Sequence, residues 1–168
     1  KKRFLTGMNK IYFKSKKLLV IYQSTNKVKI NLKKKDKLIT FVGKLNRAKG
    51  YDIFGEAIVK ILDKYPDWKS NVFGDEPREK LFYKHKNLKL MGFKQHEVVL
   101  NNFKKSSVTV VCSRWQEPFG RTSLEASSRG CAVIISNRGG LPETVTNAII
   151  LKKLNHRSLY KALINLIQ

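Results

Sequence analysis

Short runs of apolar, β-branched residues recur along the whole chain and define its first pattern. They are continuous rather than alternating, as in strands that are buried on both faces of a sheet. We predict strands at residues 18–22, 38–43, 70–74, 88–92, 108–112, 132–136 and 148–151. Because helices must cover both faces of such a sheet, the pattern favours parallel strands.

Helical patterns fill most of the intervals between these strands. The clearest spans residues 49–65, where the apolar residues form one stripe at helical spacing. Weaker patterns predict helices at 79–86, 95–104, 121–129 and 158–168. Since strands and helices alternate, we predict an α/β fold: a Rossmann-like, three-layer parallel sheet with helices on both faces.

Three of the predicted strands end in glycine, at Gly43, Gly74 and Gly92. Glycine lets the backbone turn sharply or approach a ligand closely. In open parallel sheets, ligands bind beyond the carboxyl ends of the strands, where the strand order reverses. These glycines therefore indicate a nucleotide cleft, although each of them also fits an ordinary turn.

The region before residue 37 differs from the rest of the chain. It is rich in lysine, with a weak helical pattern at 4–16 and an expected loop or linker at 33–37. We predict a single Rossmann-like domain over residues 1–168, in which 1–37 form a distinct N-terminal segment. Because the chain begins at Lys1, we expect a further part of the functional unit to lie outside it.

The formal net charge of +23 predicts attraction to an anion, such as nucleic acid, a membrane surface or a phosphorylated metabolite. The lysines are spread over the whole chain, so a solvated lysine surface without specific partners explains the charge equally well. Hydrophobic runs are too short to cross a membrane, and no signal peptide is visible.

The cysteine and histidine residues, which could bind a metal, are scattered along the sequence. Cys112 and Cys131 lack a metal-site spacing and lie in or beside apolar runs, so we expect buried thiols. His85, His96 and His156 have no matching partners in the sequence and are expected at the surface. No metal site is predicted.

The stretch EPFGRTSLEA, residues 117–126, carries the strongest chemical signal. A strand precedes it and a helix is predicted to begin after Gly120, which would leave free amide groups at Gly120, Arg121 and Thr122. A helix start of this kind attracts phosphate. Glu117 and Glu125 would flank the same ligand, and carboxylates accept paired hydroxyl groups well.

These residues resemble the motif of two glutamates separated by seven residues in retaining glycosyltransferases of the GT-B fold, above all glycosyltransferase family 4, also called group 1. Other segments resemble that family in the same order along the chain. They are FVGKLNRAKGYD at 41–52, VFGDEP at 72–77, LKLMGF at 88–93 and RGCAVIISNRGGLPETV at 129–145. The resemblance covers about residues 38–145 and implies the C-terminal, nucleotide-sugar-binding lobe of a GT-B enzyme.

The resemblance also implies roles for individual residues. Glu117 would contact hydroxyl groups of the donor sugar, and Glu125 the ribose hydroxyls. Lys49 would bind the pyrophosphate, with Lys44 and Gly43 beside it. The remaining implied positions are Phe119, Gly120, Arg121 and Thr122 for sugar and phosphate, and Phe93 and Lys94 for the base.

The implied reaction moves a sugar from a nucleotide diphosphate to an acceptor hydroxyl, with retention of anomeric configuration. It would need no metal and no cofactor besides the donor substrate, because cationic side chains and a helix start stabilise the leaving diphosphate. The acceptor, a glycan, a lipid-linked sugar or a small molecule, would bind through an N-terminal lobe outside this chain. We expect a cytoplasmic location, which allows a peripheral contact with the inner, anionic face of a membrane.

Three segments depart from the family pattern. Lys44 stands where the family usually has arginine, and lysine lacks the two-pronged donor geometry of a guanidinium group. The segment at 21–28 lacks the usual Asn-Gly, and the segment at 146–151 is shorter than the usual turn. These departures concern the edges of the cleft.

A different class of protein remains as the alternative: a basic module that binds nucleic acid or an anionic membrane without catalysis. Its support is the net charge. Aromatic residues are not interleaved with the basic runs in a nucleic-acid motif, so no specific nucleic acid is expected.

Overall fold

The computed structural model describes residues 21–26 and 28–168, and its centre is one sheet of six parallel strands in the order β3-β2-β1-β4-β5-β6. The strands are β1 (Asp36–Val42), β2 (Lys69–Phe73), β3 (Leu88–Gly92), β4 (Ser106–Val111), β5 (Ala132–Ser136) and β6 (Ile149–Leu151). Six predicted strands are confirmed. The seventh, at 18–22, lies largely outside the described residues, and its last two residues are not in a strand.

Within the described residues, four α-helices cover the two faces of this sheet. They are α1 (Tyr51–Lys64), α2 (His96–Lys105), α3 (Arg121–Ser128) and α4 (His156–Ile167). The apolar stripe of α1 packs with α4 on one face, against residues such as Phe41, Val72 and Val110. Helices α2 and α3 bury Phe103 and Ala126 on the other face. The predicted three-layer α/β architecture is confirmed.

The predicted helix at 79–86 is wrong. The chain is irregular there, between β2 and β3. Leu81 and Tyr83 are the side chains that reach the core beside α1, and a spacing of two residues suits extended backbone rather than a helix. The ring of Tyr83 lies edge-on to that of Tyr51, with centroids 5.6 Å apart. A Cβ atom on Gly55 would lie 2.1 Å from that ring, so the glycine makes room for it.

Lys35, which directly precedes β1, holds this part of the chain against the ends of α2 and α3. Its ammonium group donates to the carbonyls of Phe103, Ser106 and Arg129 at 2.6–2.8 Å, where α2 and α3 end. Burial lowers the pKa of Lys35. The expected exposed loop at 33–37 is therefore partly wrong, because a 3₁₀ helix at Leu32–Lys34 leads through this half-buried lysine into β1. The helix predicted at 4–16 lies outside the described residues.

None of the helices in the described part of the chain is both long and apolar enough to span a membrane.

Candidate nucleotide-sugar site

The strand order reverses between β1 and β4, and a cavity of about 350 Å³ lies beyond their carboxyl ends. In a parallel sheet this is the position at which ligands bind. The cavity is lined by the loop after β1, the loop after β4 and the start of α3. Its lining includes the predicted site residues Gly43, Lys49, Glu117, Phe119, Gly120, Arg121 and Thr122.

Lys49 and Glu117 form an ion pair within this lining. The ammonium nitrogen of Lys49 lies 2.5 Å from Glu117 Oε1, and Glu117 is the more buried partner. The backbone of Lys49 is held from behind, because its N–H donates to Asn46 Oδ1 at 2.9 Å. Two residues that lie 68 positions apart in sequence are thus in direct contact in the cavity.

The loop after β4 is clamped to the start of α1. Arg114 donates to both carboxylate oxygens of Asp52, at 2.6 and 2.7 Å. The N–H groups of Arg114 and Trp115 both donate to the carbonyl of Ala48. Burial acts to raise the pKa of Asp52, but the hydrogen bonds and charge of Arg114 outweigh it and hold that pKa below its usual value. The clamp fixes the two loops that carry Lys49 and Glu117.

A second contact fixes the far side of the same loop. The N–H of Gly140 donates to the carbonyl of Glu117, and the N–H of Gly139 donates to Gln116 Oε1, both at 2.7 Å. Gly139 has a φ of +53°, and a Cβ atom there would lie 2.2 Å from the carbonyl oxygen of Glu117. Glycine is therefore required for this close approach, which sets the position of Glu117.

Helix α3 begins at the cavity, as predicted. Gly120 is its N-cap, with a φ of +108° and no capping side chain. The first amide groups of a helix have no partner within the helix, and Arg121 and Thr122 contribute to the cavity lining. Together with the helix dipole, these amides make the wall suited to an anion.

Glu125 lies beside the cavity and not in its lining. It is buried, and each of its carboxylate oxygens has a basic partner. Arg121 donates to Oε1 at 3.0 Å, one helical turn earlier, and His96 Nε2 lies 3.1 Å from Oε2. His96 lies at the surface as expected, but the expectation that it has no partner is wrong.

The position of His96 in the fold indicates its contact with Glu125, which the spacing of the two residues in sequence does not. His96 begins α2, just as Arg121 begins α3, and both helices lie on the same face of the sheet. Helices that follow parallel strands start at the same edge, so their first turns approach one another. The topology, once predicted, could have placed His96 near Glu125.

Besides Glu125, three of the predicted site residues stand apart from the cavity lining. Lys44 is exposed on the loop after β1, and Phe93 and Lys94 are exposed on the loop between β3 and α2. Phe93 is 77% exposed. The loop that carries Phe93 and Lys94 leads directly into His96.

The N-terminal segment also reaches the cavity, which the sequence did not indicate. Gln23 belongs to the lining. Tyr22 donates its hydroxyl to Glu143 Oε2 at 3.0 Å, and its ring centroid lies 6.2 Å from that of Phe119. Within the described residues, no cluster of His, Cys, Asp or Glu side chains has the composition of a metal site.

The fold is a Rossmann-like domain. At its switch point lie the ammonium group of Lys49, the start of α3 and the carboxylates of Glu117 and Glu125. The family profile described as glycosyl transferases group 1 matches residues 23–168, and this chain belongs to that family.

Curated relatives agree with this assignment. Spore coat protein SA of Bacillus subtilis is 33% identical over 77% of this chain, and an uncharacterized glycosyltransferase of Methanocaldococcus jannaschii is 31% identical over 71%. A subunit of the human phosphatidylinositol N-acetylglucosaminyltransferase is 29% identical over 74%. The matched regions cover only 38%, 32% and 27% of those proteins, respectively.

Solved structures show the same fold. The C-terminal domain of a group 1 glycosyl transferase family protein, LpcC, from Francisella tularensis has a TM-score of 0.69 and 26% identity, over 80% of this chain and 77% of that one. Anabaena HepE in complex with UDP-glucose has a TM-score of 0.67 and 19% identity, over 79% and 39%. The predicted fold class, the Rossmann-like lobe of a GT-B glycosyltransferase, is confirmed.

Proposed function

We propose that this chain is the donor-binding lobe of a retaining glycosyltransferase of family 4, and that its cavity holds a nucleotide-diphosphate sugar. One observation carries the proposal: Lys49 and Glu117 meet at the start of α3, in the cavity at the switch point of the sheet. A cation and free helix amides suit a diphosphate, and a carboxylate beside them suits sugar hydroxyls.

The diphosphate would lie between Lys49 and the first amides of α3. Its negative charge grows as the sugar leaves, so donors that are already in place stabilise the transition state more than the ground state. The ammonium group of Lys49 and the amides of Gly120, Arg121 and Thr122 would supply these donors without a metal ion. Lys44 would add charge from the exposed edge of the same loop.

The two glutamates would hold the two sugars of the donor. Glu117 lies in the cavity beside Lys49 and would accept hydrogen bonds from the transferred sugar. Glu125 lies one helical turn beyond Arg121 and would accept the ribose hydroxyls. Phe93 and Lys94, on the loop before α2, would flank the base. The order from Glu117 to Phe93 then follows the order of groups in the donor.

Transfer to an acceptor hydroxyl would require the rest of a longer protein. The complex of Anabaena HepE with UDP-glucose supports a UDP-sugar as the first donor to test. The human relative is named as part of a transferase that acts on phosphatidylinositol, which supports a lipid-linked acceptor as one candidate. This chain alone should bind donor and transfer sugar poorly.

Calorimetric titration tests the proposed donor site. UDP-glucose and GDP-mannose are titrated into the wild-type chain, Lys49→Ala and Glu125→Ala. We expect one of the two donors to bind the wild type, and each substitution to weaken it about tenfold or more, because each removes a charge-assisted contact. The exposed Lys44→Ala serves as the matched lysine control, with a smaller loss expected. Absence of binding, or equal affinities for all variants, would contradict the proposal.

A second groove supports the proposed contact with an anionic membrane. It has a volume of about 1030 Å³, runs along β2, β3 and α2, and includes five lysines: Lys37, Lys69, Lys86, Lys89 and Lys105. Lys37 pairs with Asp67, and the other four have no acidic partner among the described residues. This concentration of free ammonium groups adds a local observation to the net charge of +23.

A further inference from the structure

The carboxylate of Glu125 is held from two sides by side chains of two helices. Arg121, on the same helix, donates to Oε1 at 3.0 Å. His96, at the start of α2, places its Nε2 atom 3.1 Å from Oε2. The carboxylate is largely buried, with 10% of the side chain exposed, whereas His96 is 58% exposed. A buried carboxylate with a partner on each oxygen has one orientation.

This arrangement leaves acceptor capacity for a ligand. An ionised carboxylate has about four lone-pair sites, two on each oxygen. Arg121 donates one hydrogen bond to Oε1, and His96 Nε2 lies 3.1 Å from Oε2, so at least one site on each oxygen remains for two further donors. Two vicinal hydroxyl groups present two donors at the matching separation. Arg121 and His96 therefore orient the carboxylate of Glu125 and leave acceptor sites on both of its oxygens for the two hydroxyls of a diol.

His96 also connects Glu125 to the loop proposed to flank the base. The loop runs from Gly92 through Phe93 and Lys94 to Gln95, the N-cap of α2, and His96 follows directly. The contact between His96 and Glu125 thus ties the start of α2 to α3. This contact adds to the apolar packing of α2 against α3 in fixing the base-flanking loop relative to the ribose carboxylate.

We propose that His96 is a positioning residue that orients Glu125 toward the vicinal hydroxyls of the donor's ribose, and so makes the site selective for ribonucleotides. The inference rests on the proposed function of the cavity and adds a residue that the glutamate motif does not contain. His96 acts through Glu125, and it makes no contact with the reacting bond.

The test compares each nucleotide with its deoxy form. Calorimetric titrations use the wild type, His96→Ala, His96→Gln and Glu125→Gln. The uridine ligands are UDP, 2′-deoxy-UDP and 3′-deoxy-UDP, and the guanosine ligands are GDP and 2′-deoxy-GDP. His96→Ala should weaken the ribonucleotide about five- to tenfold and the deoxy forms less than twofold. His96→Gln, whose amide nitrogen can replace Nε2 as a donor, should restore most of the affinity.

His156→Ala is the matched control. His156 is also the first residue of a helix and also pairs with a glutamate, Glu56, at 2.7 Å, but α4 lies on the other face of the sheet. This variant should bind every nucleotide as the wild type does. Circular dichroism of each variant verifies that the fold is retained.

The possible negative results distinguish the role of His96 from the proposed donor site. If His96→Ala binds UDP as the wild type does while Glu125→Gln loses ribose selectivity, the role of His96 is wrong and the donor site stands. Equal losses for the ribose and deoxy forms in His96→Ala would also overturn the role, since His96 would then act on the base loop alone. If Glu125→Gln keeps wild-type selectivity, or if neither UDP nor GDP binds, the proposed site itself fails.

Discussion

The carboxylate of Glu117 should have two opposing effects on donor affinity. Its carboxylate pairs with Lys49 and is positioned to accept hydroxyls of a sugar, yet it also lies where the negative diphosphate is proposed to bind. Like charges in a partly buried cavity repel each other more strongly than in water. The residue should therefore favour the sugar-bearing donor over the free nucleotide diphosphate.

Replacing the charge tests this balance. Glu117→Gln should raise the affinity for UDP about two- to tenfold, because a repulsive charge is removed and Lys49 is released to the diphosphate. The preference for UDP-glucose over UDP should fall in the same variant. Calorimetry of both ligands measures the ratio, and Glu143→Gln, whose carboxylate pairs with Tyr22 outside the cavity lining, is the control. An unchanged ratio would exclude a sugar-binding role for Glu117.

Local sequence was sufficient to predict some of the site and not the rest. Glu117, Gly120, Arg121 and Thr122 belong to one short stretch whose strand, turn and helix start follow from their residue types. His96 and Glu125 lie 29 positions apart on two helices, and only their packing brings them together. Such a contact depends on tertiary geometry that no local pattern encodes.

At the scale of elements, the loop after β4 is the part that holds the cavity in shape. The ion pair of Arg114 with Asp52 joins it to α1, and the amide of Gly140 joins it to the loop after β5. The first contact precedes Glu117 in sequence, and the second is made to the carbonyl of Glu117 itself. The loop is thus fixed at two points by contacts that lie outside the cavity.

The ion pair gives this clamp a defined dependence on pH. The pKa of Asp52 is lower in the folded protein than its usual value, so its contribution to stability is present above the unfolded pKa of about 4. That contribution disappears as the pH falls through the lowered pKa. Asp52→Asn should reduce the free energy of unfolding at pH 7 by about 1 kcal/mol, a modest figure because the pair is partly exposed.

Urea denaturation of the wild type and Asp52→Asn measures this difference. The two proteins should differ equally at pH 7 and pH 5, and the difference should shrink as the pH falls below about 4. Equal free energies of unfolding at pH 7, or a difference that persists unchanged to low pH, would show that the clamp does not stabilise the fold.

The element that the sequence predicted wrongly has a physical explanation. The stretch at 79–86 contains good helix formers, yet Leu81 and Tyr83 reach the core at a spacing of two. Aromatic packing of Tyr83 against Tyr51, and the space left by Gly55, outweigh the weak local propensity. The continuous strands and the long stripe of α1 carried stronger patterns and were confirmed.

On the scale of the whole molecule, the charge is distributed unevenly relative to the cavity. The large lysine-lined groove follows β2, β3 and α2, away from the switch point between β1 and β4. All five of its cationic side chains are lysines. Lysines act as point charges and lack the geometry of arginine for a single bound phosphate, so an extended anionic surface suits them better.

Vesicle binding tests this surface. The chain should bind vesicles with about 30% phosphatidylserine at low salt and dissociate as the salt rises, because the interaction is screened. The triple variant Lys69→Gln, Lys89→Gln, Lys105→Gln should bind about a hundredfold more weakly, at about 1 kcal/mol per lysine. A triple change at lysines outside the groove, Lys44, Lys60 and Lys161, is the charge-matched control. Equal losses in both variants would assign binding to net charge alone, and tighter binding to a random oligonucleotide would favour the nucleic-acid alternative.

Nuclear magnetic resonance of the ¹⁵N-labelled chain tests the central claim most directly, because it locates the bound donor residue by residue. Saturating UDP-glucose, or GDP-mannose if that is the donor that binds, should shift the amide signals of Gly43, Lys49, His96, Glu117 and residues 119–122. Signals from α4 and from the lysine groove should stay in place. Shifts confined to the groove, or no shifts with either donor, would contradict the assignment of a nucleotide-sugar site to the cavity between β1 and β4.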